Sequence, residues 1–132
     1  MLNRENILTI LRDLNLPKGH YAVNTSSVLV LNGLKEYAND VDIDCDNGLF
    51  NSFLDMGCVS HFHIRPKGYS SEIIDLTENI QLIRKEDLSQ DDIVDYQGFD
   101  IYKLEYVRKF KIILGREKDF RDIGLIDSYL YK

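Results

Sequence analysis

The chain has 132 residues, a formal net charge of −6 and 44% hydrophobic residues, which predicts one domain over residues 1–132 with a hydrophobic core. Its acidity argues against strong non-specific DNA binding, because that function requires a dense basic surface, and no apolar run reaches the ~18 residues of a membrane span. The two cysteines match no zinc-binding spacing and the N-terminus lacks a signal-peptide pattern, so we expect reduced thiols in a cytoplasmic protein.

Hydrophobic periodicity predicts helices and short strands along the whole chain. In the first half it predicts, in order, a helix over residues 5–15, a strand over 21–23, a helix over 28–32, a strand over 40–45 and a helix over 49–56. In the second half it predicts strands over 58–64, 72–76 and 80–83, a hairpin over 93–102 and helices over 104–114 and 120–130. A turn containing Pro66, Lys67 and Gly68 would join the first two of these strands. This mixture of helices and short strands indicates an α/β or α+β domain.

The stretch DVDIDCD over residues 40–46 concentrates negative charge on one predicted strand. Side chains alternate between the two faces of a strand, so Asp40, Asp42 and Asp44 share one face while the apolar residues between them point into the core. Neighbouring carboxylates repel one another, and a divalent cation such as Mg²⁺ would offset that repulsion. The solvent-facing side of an edge strand has the same pattern, because charge there opposes aggregation, and both interpretations stay open.

A further carboxylate, Asp75, lies at the end of the apolar strand over residues 72–76. If this strand runs beside the aspartate-rich strand, Asp75 would complete a metal site. The alternative is an ordinary polar residue at a strand end or a helix cap.

The segment YAVNTSSVLVLNGLKEYANDVDI, residues 21–43, resembles nucleotidyltransferase-fold proteins of the abortive-infection and toxin–antitoxin type, the AbiEii-like group. In that family a strand enters a turn of small residues, usually Gly-Gly or Gly-Ser, and a short helix follows. The helix ends in a Leu-His-Gly-like stretch, which residues 31–33 match, and an Asp-x-Asp strand comes next. Asp40 and Asp42 fall on that metal-binding pair, although a shift of two residues would make the pair Asp42 and Asp44.

The segment YQGFDIYKLEYVRKFKIILGREKDFRDIGLI, residues 96–126, resembles a later part of the same family. That part contains a short strand, a helix with a central lysine, and a Gly-Arg-x-Lys-Asp turn before a helix with another aspartate. The matching positions here are Lys111, Gly115, Arg116, Lys118, Asp119 and Asp122. Alternatively, the turn residues have a structural role and cap or pair at the start of the last helix.

The resemblance implies a nucleotidyltransferase fold, in which helices flank a small mixed sheet. It also implies Mg²⁺-dependent transfer of a nucleoside monophosphate from an NTP to a hydroxyl of RNA, protein or a small molecule, within a toxin–antitoxin or phage-defence system. The implied partners are the NTP, this acceptor and a cognate protein. Metal binding would involve Asp40, Asp42, Asp44 and Asp75. Catalysis would involve Asp40, Asp42 and Asp75, with Asp75 as the base on the acceptor hydroxyl.

The resemblance assigns nucleotide binding to Thr25, Ser26 and Lys111. The chain departs from the family at the small-residue turn, which reads Asn24-Thr25-Ser26-Ser27 and lacks the glycine that allows a close approach of the backbone to phosphates. A catalytically inactive nucleotidyltransferase-fold binding module from a phage or mobile-element system is therefore the alternative function.

Overall fold

A computed structural model describes residues 1–64 and 70–131, and the turn predicted at Pro66, Lys67 and Gly68 lies outside the described residues. The described α-helices are α1 (Arg4–Leu14), α2 (Ser26–Leu31), α3 (Asn47–Asp55), α4 (Leu104–Leu114) and α5 (Glu117–Leu130), and a 3₁₀ helix spans Gln90–Asp92. The described strands are β1 (Tyr21–Asn24), β2 (Val41–Cys45), β3 (Ser60–Ile64), β4 (Ser70–Thr77), β5 (Ile80–Arg84), β6 (Ile93–Tyr96) and β7 (Phe99–Tyr102). This arrangement confirms the predicted α/β class.

The strands form one mixed sheet in the order β3-β4-β5-β2-β1-β7-β6. At its centre β2 is antiparallel to β1 and parallel to β5, while β1 is parallel to β7. Towards one edge β5 is antiparallel to β4, which is antiparallel to β3. The order places β5 between β2 and β4, although β5 comes after β4 in the sequence.

One face of the sheet is apolar and forms the core. Val41, Ile43 and Cys45 of β2 are fully buried, as the alternation of the sequence predicted. Ile43 is opposite Val23 of β1 on one side and Leu82 of β5 on the other. Burial of such side chains stabilises each by roughly 1.5–3 kcal/mol, so this layer fixes the position of the central strands.

The other face carries a row of polar side chains across four strands. Asn24 of β1 is opposite Asp42 of β2, Asp42 is opposite Gln81 of β5, and Gln81 is opposite Asp75 of β4. Residues that are directly opposite on neighbouring strands share a face of the sheet. The sheet therefore presents these four side chains in sequence from its centre towards one edge.

Local capping explains where several helices begin and end. Asn3 precedes α1 and accepts a hydrogen bond from the backbone N–H of Asn6, whose side chain accepts one from Asn3 in return, so the two residues form a capping box. Helix α4 ends at Gly115, whose φ of 63° lies in the left-handed region that glycine adopts without a steric penalty. The chain can therefore reverse at Gly115, and α5 packs against α4.

Both cysteines are free thiols in the structure, with Cys45 buried and Cys58 partly exposed. Burial raises the pKa of the Cys45 thiol, and the nearby charges of Asp44 and Asp46 raise it further, which makes this thiol unreactive. None of the helices in residues 1–64 and 70–131 combines the length and apolarity needed to cross a membrane.

Candidate functional site

A cleft of about 570 Å³ lies on the polar face of the sheet, within the size range typical of small-molecule sites. Its walls come from the start of α2, the segment between α2 and β2, strands β2 and β5, and helices α4 and α5. The lining residues are Met1, Thr25, Ser26, Lys35, Glu36, Tyr37, Ala38, Asn39, Asp40, Asp42, Gln81, Phe110, Lys111, Leu114, Arg116, Lys118 and Asp122.

Two carboxylates predicted to bind metal, Asp40 and Asp42, line this cleft. Asp40 is exposed and directly precedes β2, whereas Asp42 lies within β2 and is half-buried. The Thr25 hydroxyl donates a hydrogen bond of 2.9 Å to Oδ2 of Asp42. Because the donor is neutral and the acceptor is an anion, this bond orients the Asp42 carboxylate without neutralising it.

The turn before α2 keeps a glycine-type backbone although it contains no glycine. Thr25 has φ 60° and ψ −139°, a conformation that L-residues other than glycine adopt only under strain. Its N–H donates to Oδ1 of Asn24 at 2.8 Å, which helps to hold the conformation. Thr25 and Ser26 both line the cleft, so the turn supplies two hydroxyl groups at the place where the resemblance predicts nucleotide contacts.

Asp44 shares a face with Asp42 but does not line the cleft. It is buried, and its Oδ2 accepts a hydrogen bond of 2.7 Å from the hydroxyl of Tyr102 on β7. Burial raises the pKa of Tyr102, and the charge of Asp44 raises it further, so the phenol keeps its proton and remains a donor. The structure therefore gives Asp44 a buried hydrogen-bond partner and places it outside the cleft that Asp40 and Asp42 line.

The structure also separates Asp75 from the cleft. The condition for including Asp75, that its strand runs beside the aspartate-rich strand, is not met, because β5 lies between them. Neighbouring strands are roughly 5 Å apart, so Asp75 is two strand spacings from Asp42. Its carboxylate accepts a hydrogen bond of 3.0 Å from Nε2 of Gln81 and lies 3.5 Å from Nδ1 of His61.

Gln81 of β5 occupies the position opposite Asp42, where Asp75 would lie only if β4 were the neighbour of β2. Within the described residues, no group of three or more His, Cys, Asp or Glu side chains could hold a metal ion. The predicted four-carboxylate set is therefore not assembled, and of its members Asp40 and Asp42 line the cleft. An amide oxygen at Gln81 is neutral and cannot accept a proton at neutral pH.

Four basic side chains line the same cleft: Lys35, Lys111, Arg116 and Lys118. We refer to these four residues as the basic wall. Lys111, predicted to contact the nucleotide, is only 2% exposed, and its Nζ lies 2.9 Å from Oδ2 of Asp122 and 3.4 Å from Oδ1 of Asp119. A buried ammonium group requires such partners, since an unpaired buried charge is strongly destabilising.

Asp119 pairs with the turn before α5, which is the structural role that the sequence left open as an alternative. It accepts hydrogen bonds from the backbone N–H of Arg116 at 3.1 Å, from Nε at 2.6 Å and from Nη2 at 3.0 Å. Burial raises the pKa of Asp119, but the hydrogen bonds from Arg116 and the charge of Lys111 outweigh it, and the pKa is lowered overall. The same hydrogen bonds raise the pKa of Arg116, against the effect of its partial burial, and the charge of Asp42 contributes as well.

Lys35 and Gln81 are among the cleft residues that sequence reasoning missed. Gln81 could have been identified only from the pairing of β2 with β5, which joins segments that are far apart in the sequence. Lys35 lies in the segment between α2 and β2, and its Nζ is 3.2 Å from Oδ1 of Asp122. The sequence around Lys35 contains no motif that distinguishes it from an ordinary surface lysine.

Comparison with known proteins supports the fold. No protein-family model matches the sequence, and no curated protein matches it at a significant level. The crystal structure of JHP933 from Helicobacter pylori is similar, with a TM-score of 0.61 and 17% identity over 96% of this chain and 67% of that chain. A protein from H. pylori provisionally assigned as a nucleotidyltransferase is similar with a TM-score of 0.58 and 17% identity, over 96% of this chain and 68% of that chain. The chain therefore has the nucleotidyltransferase fold.

Proposed function

We propose that the cleft binds a nucleoside triphosphate together with Mg²⁺ and transfers the nucleoside monophosphate to an acceptor hydroxyl, with release of pyrophosphate. The observation that supports this function is the meeting of the Asp40 and Asp42 carboxylates with the basic wall in one cleft. Carboxylates suit a divalent cation and the basic side chains suit phosphates, so both halves of a metal–triphosphate complex have partners in the same cleft.

The donor set fits one Mg²⁺ ion. Magnesium is usually held by one or two carboxylates, with substrate phosphates and water completing the coordination, and the cleft offers Asp40 and Asp42. When bound, Mg²⁺ would neutralise charge on the phosphates that it bridges. The proposal involves neither Asp44, whose carboxylate accepts the Tyr102 hydroxyl, nor Asp75, which lies outside the cleft.

The remaining side chains would orient the triphosphate. Thr25 holds the Asp42 carboxylate, and the Ser26 hydroxyl is free to rotate towards a phosphate oxygen. Lys111 and its neighbours in the basic wall would offset the negative charge that spreads over the phosphoryl oxygens in the transition state. Such chemistry depends mostly on positioning and charge stabilisation, so it does not require a strong general base beside Asp42.

A nucleotide-binding module without transfer activity is the second candidate. Gln81 favours it, because this neutral amide stands next to Asp42, where a carboxylate could bind a second metal ion or accept a proton. The two candidates share the nucleotide site and differ only in whether pyrophosphate is released.

Calorimetric titration of ATP, GTP, CTP and UTP, with Mg²⁺ and with EDTA, tests the proposal. Wild type, Asp42→Asn and the matched control Asp55→Asn should be compared, since Asp55 is an exposed carboxylate at the end of α3 and outside the cleft. We expect Mg²⁺-dependent binding in wild type and Asp55→Asn, and its loss in Asp42→Asn. Absence of NTP binding in wild type would refute the nucleotide site.

A second assay separates the two candidate functions. Each NTP that binds should be incubated with Mg²⁺ and candidate acceptors, and pyrophosphate release should be followed. Release that disappears in Asp42→Asn would identify a transferase. Binding without release, with RNA, protein and small-molecule acceptors all present, would identify the binding module.

We further infer that the protein acts in the cytoplasm, as part of an AbiEii-like system with a cognate protein partner. The two free thiols suit a reducing compartment, and the motif order along the sequence supports the AbiEii-like subgroup. Expression of the chain with and without its neighbouring gene product, with growth and co-purification as readouts, tests this inference.

A further inference from the structure

Two carboxylates of α5 hold three cations that come from three separate segments. Asp122 contacts Lys35 from the segment between α2 and β2 and Lys111 from α4. Asp119 contacts Lys111 as well as Arg116 from the turn before α5. All three cations line the cleft, so α5 determines where positive charge stands in the candidate site.

The three cations of this cluster outnumber the two α5 carboxylates that they contact. Asp42 of β2 adds a further negative charge near Arg116. The carboxylates are almost completely buried, with 0% of the Asp119 side chain and 7% of the Asp122 side chain exposed, whereas 31% of the Lys35 side chain is exposed. Buried ions require such partners, whereas the partly exposed Lys35 can also contact an anion on the open side of the cleft. Lys118, exposed in the same cleft, would add further positive charge.

The geometry at Asp122 fixes two ammonium groups relative to each other. Its Oδ1 lies 3.2 Å from Nζ of Lys35 and its Oδ2 lies 2.9 Å from Nζ of Lys111. A lysine ammonium has three N–H donors, so each group keeps donors for a further ligand. Both ammonium groups contact one carboxylate and line one cleft, so a single polyphosphate chain can contact the two together.

We propose that Asp122 is a positioning residue, which joins Lys35 and Lys111 into a polyphosphate subsite of the cleft. The subsite binds the β- and γ-phosphates of the triphosphate and then the pyrophosphate that leaves. The proposal rests on the proposed function only for the identity of the natural ligand. The subsite itself recognises a polyphosphate chain and requires neither a nucleoside nor the metal pair.

Calorimetric titration of inorganic tripolyphosphate in EDTA, on wild type and Asp122→Asn, tests the positioning role. Asp127→Asn is the matched control, because Asp127 is on the same helix, pairs with Arg108 and lies outside the cleft. Both variants add one unit of positive charge, so attraction by net charge alone would tighten binding in both. Positioning predicts instead that Asp122→Asn weakens binding about tenfold, while Asp127→Asn binds at least as tightly as wild type.

Lys35 provides a test that is independent of the buried carboxylate and holds even if Asp122→Asn does not fold. Lys35→Gln should weaken tripolyphosphate binding about tenfold, and Lys35→Arg should restore part of the loss because it keeps the charge. Lys109→Gln, which removes an exposed charge of α4 outside the cleft, should change affinity less than twofold. Melting temperatures of all variants separate loss of binding from loss of fold.

The proposal is overturned if wild type does not bind tripolyphosphate in EDTA, if Asp122→Asn binds as tightly as Asp127→Asn, or if Lys35→Gln matches Lys109→Gln. These outcomes are distinct from failure of the proposed function. Tripolyphosphate binding without any Mg²⁺-dependent NTP binding would refute the nucleotidyltransferase and support the subsite. NTP binding with Mg²⁺ but without tripolyphosphate binding would support the nucleotide site and refute the subsite.

Discussion

The variant with glycine at position 25 should be more stable to unfolding than the variant with alanine, which reverses the usual order of these two residues. Thr25 has φ 60° and ψ −139°, and a residue with a Cβ in such a region costs on the order of 1–3 kcal/mol. Glycine removes this strain but costs about 0.4–1 kcal/mol relative to alanine through the entropy of the unfolded chain. Both replacements lose the hydrogen bond to Asp42, so that loss cancels. We expect Thr25→Gly to be more stable than Thr25→Ala by about 0.5–2 kcal/mol.

Urea unfolding of both variants, followed by circular dichroism, measures this difference. Thr9 is the matched control, because it is an exposed threonine in the middle of the regular helix α1. There the order should be the ordinary one, with Thr9→Ala more stable than Thr9→Gly by about 1 kcal/mol. If Thr25→Gly is equal to or less stable than Thr25→Ala, the turn does not hold the strained conformation and the reasoning is wrong.

Three further changes probe the surroundings of the cleft. Gln81→Glu adds a carboxylate beside Asp42, so it should tighten Mg²⁺ binding about tenfold in a calorimetric titration, and unchanged affinity would show that the metal lies elsewhere. Tyr102→Phe removes the donor to a buried carboxylate and should destabilise the fold by about 1–3 kcal/mol in urea. Arg116→Gln should lower stability at pH 7 because its hydrogen bonds hold the pKa of Asp119 below the ordinary value of 3.8. The stability that a lowered pKa adds is present above that ordinary value and is lost as pH falls through the lowered pKa. The difference from wild type in urea should therefore shrink below pH 3.8, and a difference that persists there would contradict this origin.

Local sequence patterns predicted the elements well, because their causes are local. The alternation around Ile43 required a strand with one buried face, and the helical spacing up to Gly115 required a helix that ends at a left-handed residue. The α/β class follows from the sum of such patterns. Asp42 and Lys111, which the two motifs identify, both line one cleft, and their binding roles stay predictions.

Local patterns do not determine the order of the strands in the sheet. The differences between the predicted and the observed site, at Asp44 and Asp75, follow from that order. Pairing of β2 with β5 rather than with β4 depends on contacts between distant segments, and it exchanges Asp75 for Gln81 beside Asp42. Asp44 has the spacing of a metal ligand, but its carboxylate accepts a hydrogen bond from Tyr102, which lies on β7, the last strand in the sequence. In each case a residue that is remote in the sequence decides the environment of a residue that the motif identifies.

The ion pairs of Asp122 also determine when the cleft can form during synthesis. All seven strands precede α4 in the sequence, so a chain growing by about 5–20 residues per second exposes the complete sheet before α5 leaves the ribosome. Until then Lys111 and Lys35 lack the carboxylate that holds them together. A nascent chain therefore has the aspartates of β2 well before it has the cation cluster that we propose as a phosphate subsite. Deletion of α5 should likewise remove the proposed phosphate subsite while leaving every described strand in the chain.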